Sequence, residues 1–202
     1  MSFDAFIVGG GVSGMQCALV LGSAKNKDFA KDKKVGIIMH QKTSHLQNAL
    51  FNNVLGLPSG KLGGVILQEG KLQLSTLYPE IVQIENEKVL SIDDFNGSFK
   101  IITNKSIYFS EIVVVALNYS KPFGIKGLDS YIETHRKANT KKDRIQLKNT
   151  DHFIKKGLYC CGTIAGWRSQ FAIAAGSGAS VATDILTLWN NNIATKIHDK
   201  IL

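Results

Sequence analysis

The chain has 202 residues, 44% hydrophobic and 20% charged, with a net charge of +8. This length and composition suit one globular domain with a real core, and no apolar run in the sequence approaches the ~18 residues that span a bilayer. Three cysteines without framework spacing argue against a disulfide scaffold, and five histidines show no metal-ligand spacing, so no metal site is expected.

Asp4–Val8 is a short apolar run, predicted to be a strand. It leads into G-x-G-x-x-G at Gly9, Gly11 and Gly14, and a helix is predicted from about Val12 to Ala24. Each glycine answers a separate demand. Gly9 permits the tight turn out of the strand, Gly11 lets a diphosphate approach the backbone, and Gly14 lets the helix pack closely on the sheet. The first helix turn offers N–H groups and the positive end of the helix dipole to an anion. No basic segment precedes these residues, and Asp4 and the glycines interrupt them, so they do not read as a signal peptide.

A lysine-rich connection, 25–34, precedes Lys34–Met39, whose Val-Gly-Ile-Ile-Met run reads as a buried parallel strand. Residues 40–63 are irregular, with turn signals at Asn52-Asn53, Gly56 and Pro58-Ser59-Gly60. A helix is predicted over Gly64–Leu77, closed by Pro79, and Glu80–Ile84 is the next strand. Val89–Asp93 and Phe99–Thr103 alternate at period two around the hairpin turn Asn96-Gly97. Tyr108–Phe109 leads into the apolar strand Glu111–Leu117. Residues 118–157 are polar and receive no assignment. Leu158–Cys161 is a last short strand, and Ala172–Trp189 a final helix rich in Ala and Gly. This order predicts the α/β class: a Rossmann-like, FAD/NAD(P)-binding three-layer fold. Its central parallel sheet carries helices on one face and an antiparallel meander on the other.

The chain resembles the FAD-binding domain of the thioredoxin-reductase-like pyridine nucleotide–disulfide oxidoreductases. Four segments carry the resemblance over nearly the whole chain: Gly9–Gly14; Asn53–Gly60 with Gly63-Gly64; Val113–Asn118; and Leu158–Gly166 with Gln170 and Ala174–Gly178. It implies a single domain over residues 1–202 that binds FAD. Gly9, Gly11, Val12, Ser13 and Gly14 would hold the diphosphate. Lys88 or Val89 would offer backbone groups to the adenine. Ala116, Leu117 and Asn118 would line the cofactor's path. Gly162, Thr163, Gln170, Phe171 and Ala172 would face the ribityl chain and the isoalloxazine edge, and the Phe51–Gly56 loop would lie near the flavin.

The sequence departs from the family pattern at two recognition points. The second strand should end in an acid that takes both ribose hydroxyls, but Met39, His40 and Gln41 stand there. The closing turn, normally Gly-Asp, is Gly162-Thr163. Exchanging two charge-assisted bonds for neutral ones costs on the order of 2–4 kcal/mol, or roughly one to three decades of affinity. A third departure is larger. The family's nicotinamide domain would be inserted between the strands ending at Ala116 and beginning at Leu158. The 118–157 stretch is too short for another dinucleotide-binding unit with its own sheet. A second G-x-G-x-x-G and a redox Cys-x-x-Cys are also missing from the sequence.

The remaining groups read blandly. Cys160 and Cys161 are adjacent and would point to opposite faces of a strand, and Cys17 reads as core packing. His45 has the option of proton donation beside a flavin, and Arg168 that of stabilising a reduced one; solvated side chains are the plainer reading. The basic stretches Lys25–Lys34 and Arg136–Lys156 hold only Phe29 and Phe153 as aromatics, so a base-stacking platform is not indicated. The favoured reading is a cytoplasmic FAD-dependent oxidoreductase reduced by an external donor or partner protein, with a homodimer as an option because the relatives often pair. Two alternatives stay open. One is a cofactor-degenerate scaffold acting by protein contact, and the other, less favoured, is a basic adaptor for tRNA.

Overall fold

The computed structural model describes residues 1–39 and 44–198. Its strands are β1 (Ser2–Val8), β2 (Val35–Met39), β3 (Leu50–Phe51), β4 (Lys61–Leu62), β5 (Val82–Glu85), β6 (Val89–Phe95), β7 (Ser98–Thr103), β8 (Ile107–Val115), β9 (Ile132–Thr134), β10 (Ile145–Leu147), β11 (Phe153–Lys155) and β12 (Leu158–Cys160). Three helices accompany them: α1 (Val12–Ser23), α2 (Gly63–Leu77) and α3 (Phe171–Trp189). Five parallel strands run in the order β12-β8-β1-β2-β5, with β11 antiparallel at one edge.

Period-two alternation along β1 divides the core. Ala5 and Ile7 point to the helix side, where α1, α2 and α3 contribute Cys17, Leu21, Leu67, Leu74, Val181 and Ile185. Phe6 and Val8 point to the opposite side, against Ile92 of β6, Phe99 and Ile101 of β7, and Tyr108 of β8. Each such fully buried large side chain contributes about 1.5–3 kcal/mol. The predicted three layers are therefore present.

The antiparallel layer is tied to the parallel sheet through β8. Residues 107–110 of that strand pair antiparallel with β7, and residues 112–115 pair parallel with β1. What reads in the sequence as a short lead-in and a separate apolar strand is one continuous strand serving both layers. The hairpin turn has the anticipated chemistry, with Asn96 at φ +49° and Gly97 at φ +80°.

Differences from the sequence reading have local causes. β1 begins at Ser2, ahead of the charged Asp4, because both carboxylate oxygens are satisfied at 2.8 Å, one by Lys33 Nζ and one by the Lys34 N–H. The irregular 44–62 stretch holds a helical turn at His45–Asn48 and a two-residue hairpin, β3–β4. Residues 118–157 contain the ribbon β9–β10 with Ile145 and Leu147 buried, and no second βαβ unit is formed among the described residues. By length and mean hydropathy α3 is apolar enough to cross a membrane, contrary to the sequence expectation. In the fold it packs on α1 and the sheet through Ser177, Gly178, Val181, Ala182, Ile185 and Leu186, one helical stripe.

Candidate dinucleotide cleft

Four hydrogen bonds set the corner where β1 meets α1. The Gly9 N–H donates to the Ile38 carbonyl at 3.0 Å, Ala116 N–H to Val8 at 2.8 Å, Cys161 N–H to Val115 at 2.9 Å, and Met15 N–H to Gly11 at 2.9 Å, opening the helix. Gly9 sits at φ +121°, and a Cβ there would overlap the Ala116 carbonyl. A Cβ on Gly14 would overlap the carbonyl of Gly9, so helix and strand touch backbone to backbone. At Gly11 the situation reverses: among the described residues an added Cβ would meet nothing within 4 Å. Gly11 is the N-cap of α1, with no side-chain cap and no acid in the first turn. The positive end of the helix therefore faces space that no described side chain fills.

That space is a cleft of about 320 Å³, lined on this side by Gly9, Gly11, Val12 and Ser13. Ala116, Leu117, Asn118 and Thr163 form its floor and far wall, and Phe51 and Phe171 meet edge to face at 5.2 Å along its apolar side. A second cleft of about 530 Å³ continues past Leu117 and Asn118 to Lys88, Val89, Pro122 and Phe123. The two share Gly9, His45, Leu117 and Asn118 and form one elongated groove bent around the glycine corner. An extended ligand with a charged middle and two flat ends matches this shape.

The sequence candidates divide by where they fall. Gly9, Gly11, Val12, Ser13, Ala116, Leu117, Asn118, Thr163 and Phe171 line the first cleft, and Lys88 and Val89 the second. Gly14 lies beneath the corner, buried in helix packing. Gly162, at φ +75°, stands behind the cleft against Ser13, and its N–H donates to Ser177 Oγ at 2.8 Å. The Lys88 N–H donates to Asn104 Oδ1 at 2.8 Å and its carbonyl accepts from the Asn104 N–H at 3.0 Å. Gln170 caps α3 on the outside and Ala172 is exposed; Ala174, one turn of helix further, lines the cleft in their place. Met39 is only 2% exposed and is packed into the helix-side core, so it presents no polar group to a ribose. His40 and Gln41 lie outside the described residues.

Sequence reasoning missed Ser44, Ala49 and Ser169, which also line the first cleft. They come from irregular segments where no periodicity marks the inward side chains. It also missed the support behind the closing turn. Ser177 Oγ accepts from Gly162 and lies 2.8 Å from Nε2 of buried His152. Burial pushes the pKa of His152 down, keeping the imidazole neutral. His45 lies on both clefts, its pKa lowered by burial and then by the Arg144 charge. It is a neutral imidazole at pH 7, able to accept a proton rather than to supply a cation.

The cysteines are inert. Cys160 faces the meander-side core and Cys161 the helix-side core, as strand alternation requires. Burial raises both thiols, Cys161 to about 12, and Cys17 is likewise raised. None is a thiolate at neutral pH.

No family model matches the chain, and no curated protein matches its sequence. Solved structures do match. A thioredoxin reductase from Gloeobacter violaceus aligns with a TM-score of 0.75 at 14% identity, over 99% of each chain. A putative thioredoxin reductase, TrxB, from Bacillus anthracis gives 0.69 at 14% identity, over 94% of this chain and 99% of its own. A ferredoxin-flavin thioredoxin reductase from Clostridium acetobutylicum gives 0.67 at 15% identity, over 95% and 99%. The likeness is one of fold: the chain has the α/β architecture of the thioredoxin reductases.

Proposed function

We propose that the bent groove binds FAD and that the chain, as a single domain, is a flavin-dependent oxidoreductase reduced by an external donor or partner protein. The observation that carries this reading is the open space at Gly11, in front of an uncapped helix N-terminus, with a cleft extending to either side. The first-turn N–H groups of α1 would take the diphosphate. Leu117 and Asn118 would sit under the bend, and Thr163 would offer its hydroxyl, which among the described residues makes one long bond, 3.4 Å to the Leu117 carbonyl. Phe51 and Phe171 would exclude water from one side of the ring system. Bound FAD supplies the redox chemistry, and the protein supplies binding and electrostatics. Because the three cysteines are buried and protonated, electrons would have to arrive from outside the chain.

Buried Met39 and the engaged backbone of Lys88 support a second reading, a scaffold whose hold on the cofactor has weakened. The visible spectrum of the purified full-length protein separates the two. A yellow protein that releases flavin on denaturation supports the first. A colourless protein with no thermal shift on adding FAD, FMN, NAD or NADP favours the second, and salt-sensitive retention of tRNA would point to the adaptor. Gly11→Val should lower FAD affinity about a hundredfold, equivalent to ~2.7 kcal/mol. An unchanged affinity would remove the glycine corner from the site.

A further inference from the structure

Beyond the rim of the cleft lies a separate pocket of about 360 Å³. Its walls come from Tyr119 after β8, the 135–144 loop between β9 and β10, and Trp167–Gln170 ahead of α3. Among the described residues four cations line it, Lys137, Lys142, Arg144 and Arg168, and no carboxylate does. Among the described residues none of the four is in an ion pair. Asp143, the one acid in the loop, is taken by Lys121 at 2.7 Å. Cations sharing a concave wall focus a positive field into it.

The cations rest on a built scaffold. Arg144 donates from Nη1 to Ser120 Oγ at 2.7 Å, its guanidinium lies 4.9 Å from the Tyr119 ring centre, and its buried Nε has no partner among the described residues. The Lys137 ammonium sits 4.0 Å above the Trp167 ring, and the Lys137 N–H donates to His135 Nδ1 at 3.1 Å. His135 therefore carries its proton on Nε2, which donates to the Thr163 carbonyl at 3.1 Å. Burial lowers its pKa, so it ties the loop to the closing turn without adding charge. Both aromatic rings already carry a cation, which leaves poor platforms for nucleobases and favours a compact anion over a nucleic-acid strand.

We propose that this pocket binds a phosphate dianion, either as the free ion or as the terminal group of a small phosphorylated molecule. Ser169 lines both this pocket and the first cleft, so the anchored group lies at the cleft's mouth. The inference rests on the pocket's own residues, whatever fills the groove.

The test is calorimetric titration of the full-length protein with inorganic phosphate and with phenyl phosphate, at ionic strength held constant with sodium chloride. Saturable binding of either is expected. Preference for inorganic phosphate identifies a free-ion site, and equal or tighter binding of phenyl phosphate identifies a phosphorylated ligand. Lys142→Ala and Arg168→Ala, whose side chains make no hydrogen bond or ion pair among the described residues, should each weaken binding about tenfold or more. FAD affinity should not change in either variant. Gly11→Val should leave phosphate binding intact. The proposal falls if neither probe binds, if the two lysine and arginine variants bind normally, or if Gly11→Val alone abolishes binding, which would place the anion at the glycine corner. It also falls if a single-stranded RNA oligomer binds while neither phosphate probe competes with it.

Discussion

The glycine corner and the basic pocket both present positive potential to an anion, by opposite means. Among the described residues the corner uses no charged side chain: its potential comes from the backbone N–H groups of α1, with Gly9 and Gly14 setting the close packing and Gly11 leaving the approach clear. The pocket relies on charged side chains: three cations of the 135–144 loop and Arg168 ahead of α3 converge on it. One device is built into the fold, since the contacts that shape it also join α1 to the sheet. The other is laid on the surface of the fold. Mutations in the first should therefore damage stability or binding according to which glycine is touched, whereas mutations in the second should affect binding alone.

The strongest test sets two glycines against each other. Gly14→Ala drives a Cβ into the Gly9 carbonyl and should cost about 3 kcal/mol or more in chemical denaturation, because neither backbone can yield without parting helix from strand. Gly11→Val, whose added Cβ meets no described atom within 4 Å and whose backbone is extended at φ −80°, ψ −173°, should lower the denaturation midpoint far less, by no more than the ~1 kcal/mol of a poorer N-cap, while losing the dinucleotide. A stable Gly14→Ala protein would mean that the corner is not built by close packing.

A smaller effect is expected behind the closing turn. Ser177→Ala leaves the Gly162 N–H and His152 Nε2 without their shared partner in a dry interior, which should cost about 1–3 kcal/mol. Denaturation at pH 7 measures it, and an unchanged midpoint would show that water substitutes for the hydroxyl.

The same histidine gives a pH dependence whose sign is fixed. His152, His135 and His45 have folded-state pKa values below 6.5, chiefly through burial. As pH falls through 6.5 the unfolded chain takes up protons that the folded chain refuses, so stability declines from pH 6.5 down towards the folded-state values. His152→Gln should reduce the melting-temperature difference between pH 7 and pH 5 without abolishing it, since His135 and His45 still titrate. A difference as large as in the parent would acquit His152.

The two anion devices also differ in how far the sequence discloses them. The corner is legible because close backbone packing at Gly9 and Gly14, with Gly11 between them at the open N-cap, places glycine at fixed offsets, and the strand and helix around it keep their periodicities. The layered fold follows for the same reason, down to the opposed faces of Cys160 and Cys161. The basic pocket is illegible because its residues, from 119 to 170, meet only once the short ribbon β9–β10 forms. Three-residue strands carry too little pattern to announce themselves, and in one dimension lysines and arginines of 136–144 look like any solvated face. Lys88 shows a subtler limit: its position beside the groove follows from the strand order, but the capture of its N–H by Asn104 depends on a turn that periodicity does not describe.

The smallest effect tests the idea that the pocket is not part of what holds the fold together. Lys142 and Arg168 are exposed and face other cations, so Lys142→Ala and Arg168→Ala remove charge repulsion and almost no packing. Each melting temperature in phosphate-free buffer should stay within about 2 °C of the parent. Added phosphate should then raise the parent's melting temperature and raise those of the variants less, because a ligand stabilises only the state that binds it. If either variant melted well below the parent before any phosphate was added, the side chains would be serving the fold, and the contrast with the glycine corner would collapse.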